Sequence, residues 1–503
     1  MALSTTIVNS IREYFHYAIP CLIILYFISN RYQKRLHRVP GPWVNSISTL
    51  PRIWSVYRGQ HHLDDLKLHA KYGKIVRVAP NLVSVADTNE INQLYGITTK
   101  FVKSPFYDLS AVYDEDGLVP DPFVIRKDKA LHSRMKRNAA NAYSLNGLIQ
   151  FEPWVDPVVN RLLDILDEHA HANAICDLGE LLKRFAMDAV CSLTFGSDFG
   201  YLEKGDELNF FKSIDLFTAY MSIFGHVAWL HPYLLGNSKV AQLATRGDTS
   251  SQAMIKITSQ ELQKFRTSPP AEGDAMTFLS RLALNQSSSP KTIDDREIIT
   301  HAFGNVSAGA DTTAIAMRAI VYYVVANRDV YRRLCTEIRE KIEEPVRFQA
   351  AYSLPYLKAV VQEAMRLHPS VGQVLGRTVP TGGAIVGGYQ VGSGAEVGMS
   401  PWVLHRDPVV FPSPDAFKPE RWILGEGCRD EDHLRAMNRS FFAFGHGSHT
   451  CSGKHISIME ITKLIPTLLL RYDLESVGDG ESYKFTNWWF TSQHELRVKI
   501  SRR

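Results

Sequence analysis

Between residues 86 and 350 apolar side chains recur at three- and four-residue intervals, the spacing of helices that bury one face and leave the other in water. Polar stretches at 245–252, 268–274 and 286–291 punctuate that pattern. Before it, residues 72–86 read as a hairpin: Lys74-Ile75-Val76-Arg77-Val78, a Pro80-Asn81 turn, then Leu82-Val83-Ser84-Val85. After it, glycine-rich strands are predicted over 377–398, irregular Pro- and Phe-rich chain runs to Trp422, and a helix covers 454–470. A short strand pair closes the chain. Repeats, low-complexity tracts and long linkers are absent. The pattern predicts one large, mainly helical domain with small sheets.

One stretch departs from amphipathic spacing. Residues 14–30 contain no Asp, Glu, Lys or Arg and are rich in Ile, Leu, Phe and Tyr, at the short end of what spans a bilayer. No small-residue cleavage pattern follows. Instead Arg31, Lys34, Arg35 and Arg38 follow at once, against only Arg12 and Glu13 on the other side, which keeps the large carboxyl-terminal part in the cytosol. Pro40 and Pro42 then stop any helix. The expectation is a signal anchor in residues 1–30, a basic, Pro-rich hinge in 31–45 and a globular body in 46–503.

Composition narrows the classes. With 503 residues, 45% hydrophobic and 21% charged, the chain is neither disordered, collagen-like nor a disulfide-stapled miniprotein. A net charge of +4 lacks the basic excess of a nucleic-acid binder, so no nucleic-acid partner is expected. The cysteines Cys21, Cys176, Cys191, Cys335, Cys428 and Cys451 are scattered without a C-x-x-C pair, which fits a reducing compartment. Any cysteine chemistry is done singly.

The most informative segment is Phe441-Phe442-Ala443-Phe444-Gly445-His446-Gly447-Ser448-His449-Thr450-Cys451-Ser452-Gly453-Lys454. A thiolate needs donors and positive potential, and the amino end of a helix starting near Gly453 supplies both. Glycines at 445, 447 and 453 allow tight turns and close approach to a flat ligand. Phe444 can shield the sulfur, and His449 suits a carboxylate. A lone cysteine is more often buried and inert; Phe444, Gly447, His449, Cys451 and Gly453 together, within ten residues, are not explained that way. Upstream, Ala308-Gly309-Ala310-Asp311-Thr312-Thr313 lies inside a long apolar helical pattern. That favours an interior site over a helix cap, with Ala308 and Gly309 letting the helix lie over a planar group. A Thr hydroxyl there can bond back to the preceding turn and open the helix to water. Glu363-Ala364-Met365-Arg366 puts opposite charges three residues apart on one helical face, an arrangement that alone means little.

These segments, with Phe417-Lys418-Pro419-Glu420-Arg421-Trp422, stand in the order of the cytochrome P-450 superfamily, the haem-thiolate monooxygenases, which the chain resembles from about Pro40 to its end. It is most similar to the microsomal enzymes of fungal secondary metabolism, like the pisatin-demethylase group. The resemblance implies the cytochrome P-450 fold, with haem b on an axial Cys451 thiolate that favours O–O cleavage. It implies Asp311 and Thr312 as the proton-delivery pair, and Glu363, Arg366 and Arg421 as a structural triad beneath the haem. Arg377, His132, Lys136 and His449 would meet the propionates, His449 replacing the commoner Arg and Lys136 the commoner Arg of a W/H-x-x-x-R pattern. O2 would be activated with NADPH electrons from a separate flavoprotein reductase, docked on the basic helix around residues 128–138, because the chain has no G-x-G-x-x-G dinucleotide site. The family's substrate-contact regions fall at 101–125, 210–235, 302–308, 371–375 and 488–491; their aromatic and branched residues imply an apolar, polycyclic or aromatic small molecule. Localisation would be the endoplasmic reticulum membrane, single-pass, with a cytosolic catalytic domain. A haem-thiolate isomerase or peroxide-using enzyme, and a membrane haem-binding gas sensor, are the rival readings; the intact Asp311-Thr312 pair speaks against the isomerase.

Overall fold

The structure, a computed structural model, describes residues 2–503 except 112, 115–116, 245–249, 270, 272–274, 289–292 and 478–482. The expected polar breaks at 245–252, 268–274 and 286–291 therefore lie partly outside the described residues.

The helices that position the site are α1 (Ala2–Tyr32), α2 (Leu50–Tyr57), α3 (His61–Tyr72), α4 (Lys129–Ala139), α5 (Leu178–Phe195), α6 (Phe210–Phe224), α7 (Asp295–Ala326), α8 (Pro355–Leu367) and α9 (Lys454–Arg471). Their ends follow local chemistry. The side chains of Asp128, Asp177 and Asp294 accept from the backbone N–H three residues on, capping α4, α5 and α7. The last two are followed by Glu180 and Glu297, as in a capping box. Gly196, with φ of 82°, ends α5 in the left-handed conformation, and Pro355 starts α8.

The largest core cluster joins α5, α7, α8 and α9 through Phe185, Met187, Val190, Val306, Ala310, Met317, Val360, Met459 and Leu464, all almost wholly buried. Against this helical mass lies a five-stranded sheet. It runs β1 (Ile75–Ala79), β2 (Leu82–Val85), β6 (Glu396–Gly398), β5 (Arg377–Thr378) and β3 (Val102–Lys103) in spatial order. Only the β2–β6 pair is parallel. A second sheet pairs β10 (Arg497–Arg502) with β7 (Tyr472–Ser476) and with β4 (Ile175–Asp177), and β8 (Phe485–Asn487) pairs with β9 (Thr491–Gln493). The expected hairpin is β1–β2. Strands β3 and β4 sit inside the stretch read as helical, because two- and three-residue strands carry no measurable period.

At the amino end, α1 contains Pro20, and residues 17–28 are mostly exposed. Among the described residues no helix is long and apolar enough to cross a membrane. The chain beyond α1 is tied to the body. Arg77, almost wholly buried, donates to the carbonyls of Asn30, Arg31 and Pro80. Lys34 donates to Asn81 Oδ1 and to the carbonyl of Gly394, both at 2.7 Å, and Leu36 is fully buried.

Candidate active site

The cysteine loop ends where α9 begins. Gly453 is the residue before the first turn, so the backbone N–H groups of Gly453 and Lys454 at the amino end of α9 are near enough to Cys451 to favour its thiolate. Burial pushes the Cys451 thiol up; those two donors and the charges of Lys136 and Lys454 oppose it. Cys451 lies deep in the protein and yet is accessible, because its sulfur faces a cleft instead of packed atoms. Its N–H donates to Phe444 O at 2.9 Å, which folds the loop back on itself. Gly447 has φ of 65°, and a Cβ there would overlap the carbonyl of Tyr95, so only glycine fits. A Cβ at Gly453 would meet open space. Phe444 is half-buried, with Lys454 Nζ 5.5 Å from its ring centre.

Beneath the loop Glu363 is fully buried and fully used. Its carboxylate accepts from Arg366 Nε and Nη2 at 2.9 Å each and from Arg421 Nε at 3.0 Å. It also accepts from Trp422 Nε1 at 2.9 Å and Lys418 N at 3.0 Å. Arg366 Nη1 reaches the carbonyls of His405 and Pro414, both at 2.7 Å. His405 completes the base. Its Nδ1 donates to Arg366 O at 2.9 Å and its Nε2 accepts from the N–H of Phe442 at 2.7 Å, so it is held neutral and ties the triad to the start of the cysteine loop. Burial, with Arg366 beside it, pushes its pKa down to about 3.

Across the cleft, α7 is tied to α9 by the Thr313 Oγ1–Ser457 Oγ bond of 2.9 Å. Asp311 and Thr312 lie mid-helix, since the cap is Asp294. Ala308 is accessible and Thr312 half-buried, although the helix runs through the core. The Thr312 hydroxyl donates to Ala308 O at 2.8 Å, the back-bond the sequence suggests. Gly309 does not share the accessible face: a Cβ there would lie 3.0 Å from Val190 Cγ2, so this glycine lets α7 approach α5. Asp311 is buried, and Lys183 Nζ of α5 lies 3.4 Å from its Oδ1 and 3.6 Å from Asp215 Oδ2 on α6. Its other oxygen has no partner. Burial raises the Asp311 pKa and Lys183 opposes it.

At the side of the cleft cations gather. The β3–β5 register sets Lys103 directly opposite Arg377, and both are buried. The rings of His132 and His449 lie 4.3 Å apart. Lys136 is drawn to the loop, donating to the carbonyls of Ser448 (3.1 Å) and Thr450 (2.7 Å). Burial and then each other's charges push His449 down to about 2, His132 to about 4 and Lys103 to about 7. Among the described residues the buried His449 Nδ1 and Arg377 Nε atoms find no hydrogen-bond partner.

The roof of the cleft is apolar. Phe106, Tyr107, Met221, Ile315, Trp489 and Phe490 form one cluster, with Phe106 stacked on Trp489 at 5.4 Å. It draws on four of the five segments implied as substrate contacts, counting Val371 and Leu375 packed against it. Lys103, Lys183 and His405 were not found from sequence, since each reaches the site from a remote segment without a local motif; only the register of β3 against β5 would have shown Lys103.

The model of the cytochrome P450 family matches residues 40–501. The cytochrome P450 monooxygenase cicH of Emericella nidulans is 32% identical over 96% of each chain. Pisatin demethylase of Fusarium vanettenii is 30% identical over 95% of this chain and 92% of its own. The monooxygenase mpaDE of Penicillium roqueforti is 35% identical over 93% of this chain, which covers 55% of that longer protein.

This chain belongs to the cytochrome P450 family.

Cytochromes P450 carry haem on a cysteine thiolate and use O2 with electrons from a reductase. The residues of this P450 fit that group. Like charges directly opposite on paired strands destabilise a sheet unless an anion lies between them. Among the described residues Lys103 Nζ donates only to the neutral carbonyls of Pro122 and Phe123, and Lys103, His132 and His449 are held down by burial and by the cations around them. Two propionates would supply the negative charge this cluster lacks, and Cys451 and Ala308, both accessible within the core, leave room for a flat ring.

Proposed function

We propose that this P450 inserts one oxygen atom into an apolar small molecule of a fungal secondary-metabolite pathway: substrate-H, O2, NADPH and a proton give substrate-OH, water and NADP+. Haem, when bound, supplies the oxygen activation. Cys451 would ligate its iron, the Gly453 and Lys454 N–H groups offsetting part of the cost that burial puts on the thiolate. Lys103, Arg377, His132 and His449 would hold the propionates, while Lys136 fixes the loop. Asp311, recharged through Lys183 and the half-exposed Asp215, would pass protons to the Thr312 hydroxyl. Phe106, Trp489 and their neighbours bind and orient the substrate and exclude water. The reductase docks on the exposed cations Lys127, Lys129 and Arg137 of α4 and the turn before it.

The globular body begins, in this reading, where the chain leaves α1, and the apolar surface of α1 holds the protein at the endoplasmic reticulum membrane. In support, Ile19, Leu22, Ile24, Leu25 and Ile28 are exposed on all sides of α1, and Leu50, Trp54, Trp229 and Tyr233 add exposed apolar surface on the body. Removing residues 1–28 should release much of the protein from membranes with haem content intact. Removing 1–38 deletes Lys34 and Leu36 and should lower haem content too, read by the carbon-monoxide difference spectrum.

The observations that carry the function are the accessible Cys451 at the amino end of α9 and the Thr312 hydroxyl bonded back to Ala308 O on α7, the helix that Thr313 and Ser457 tie to α9. The test feeds the metabolite that accumulates on gene deletion to membranes containing this P450 and a flavoprotein reductase, under labelled O2. One labelled atom per product, dependent on NADPH, is expected. An unlabelled isomer formed without NADPH would overturn the reading.

A further inference from the structure

The proton-delivery helix is gripped from outside at two carbonyls one turn apart. Ser370 Oγ donates to Thr312 O at 2.8 Å, and Gln493 Nε2 donates to Ile315 O at 2.9 Å. Both donors are nearly buried. Both also belong to one strapped assembly. Thr491 N donates to Ser370 O at 3.0 Å, Thr491 Oγ1 to Pro369 O at 2.8 Å, and His368 Nε2 bonds Thr491 O at 2.9 Å. Gly372 N reaches Trp489 O, and Val371 bridges Phe490. The segment after α8 and the β8–β9 turn are thus zipped together, with the aromatic wall of Trp489 and Phe490 on one side and α7 on the other.

A helix carbonyl normally accepts from the N–H four residues on, and an external donor competes for it and tilts it outward. At Thr312 this happens while the side-chain hydroxyl is pinned to Ala308 O. Thr312 is therefore held at both ends. Its carbonyl is held by the strap and its hydroxyl by its own helix. An apolar ligand pressing on Trp489 or Phe490 moves the strap, and the strap moves the Thr312 peptide.

We propose that Ser370, supported by Gln493, is a positioning residue that sets the Thr312 hydroxyl and couples it to the aromatic wall. The inference rests on the proton-delivery reading of Thr312 and adds to it a residue that acts through the Thr312 carbonyl.

The test uses the full-length haem-loaded chain with Ser370→Ala, Ser370→Thr, Thr312→Ala and the Ser370→Ala/Thr312→Ala pair. Without added substrate, NADPH supplied through the reductase is consumed one per hydrogen peroxide or two per two waters, so the peroxide-to-NADPH ratio reports controlled proton delivery without an identified substrate. Amide exchange of peptides covering 308–316 reports the grip directly. Ser370→Ala should speed exchange there roughly 2- to 30-fold, the range in which residues of a coupled network act, and raise the peroxide ratio, with an unchanged carbon-monoxide spectrum. Ser370→Thr, which keeps a hydroxyl, should restore both. On a Thr312→Ala background Ser370→Ala should add nothing to the ratio. Wild-type exchange and an additive effect on the ratio would overturn the strap. If Thr312→Ala itself left the ratio unchanged, the proton-delivery reading would fall, while the exchange data would still decide the grip.

Discussion

The base and the roof of the cleft are built on opposite principles. In the base every polar atom of Glu363 is committed, to Arg366, Arg421, Trp422 and Lys418, and His405 carries the order on to Phe442 at the start of the cysteine loop. In the roof the side chains of Phe106, Met221, Trp489 and Phe490 come from three separated segments and meet one another through packing. Hydrogen bonds with fixed directions tolerate one arrangement; apolar contacts tolerate many of similar volume. A base of the first kind keeps the chemistry constant. A roof of the second kind lets the substrate change.

That contrast can be broken first at Cys451. Cys451→Ser should leave a folded chain without the red-shifted carbon-monoxide band of a thiolate-ligated ferrous haem, and all oxidation should be lost; a retained band would reassign the ligand. Next comes Glu363→Gln, which leaves two buried guanidiniums short of charge. Breaking such a pair costs about 3–5 kcal/mol, so the urea midpoint should fall steeply and haem content with it. An unchanged midpoint would show that the base is not held by its charges.

His405 sharpens the comparison through pH. Its folded pKa of about 3 lies below the ordinary histidine value, so the neutral form is stabilised by folding. The associated stability is whole above about pH 6.5 and is lost as pH falls toward the folded value, at about 1.4 kcal/mol per pH unit. Between pH 7 and pH 5 His405→Gln should lose about 2 kcal/mol less than the wild type in urea titrations. Equal losses would mean that His405 is charged in the folded base. The smallest effect belongs to the roof. Trp489→Phe keeps the apolar character and should cost under about 1.5 kcal/mol, leave the carbon-monoxide spectrum intact, and change KM for the substrate. A collapse of haem content instead would make the roof part of the base.

What could be read from the sequence divides along the same line. The cysteine loop, the Glu363–Arg366 pair and the Asp311–Thr312 pair are spaced by local geometry, one loop or one helical turn, and their spacing survives in the one-dimensional pattern; Arg421, far along the chain from Glu363, comes only with the family resemblance. The helices are legible for the same reason, with caps at Asp128, Asp177 and Asp294 written beside them. Lys103, Lys183, Ser370 and His405 are delivered by a strand register, a neighbouring helix and two loops, and no spacing announces them. Gly309 shows the reverse case. Its motif is right, but its open side faces Val190 because α5 needs the room.

The pairing of Lys103 with Arg377 bears on how the molecule is made. Strand β3 joins the sheet by two residue pairs only, and one of them sets two cations face to face. The edge leans on bonds outside the ladder, with Lys103 Nζ donating to the carbonyls of Pro122 (2.8 Å) and Phe123 (2.6 Å), and the segment that leaves it carries Phe106 and Tyr107 into the roof. A change at Lys103 would thus be felt in two places at once, at the sheet edge and in the aromatic wall that the same segment builds.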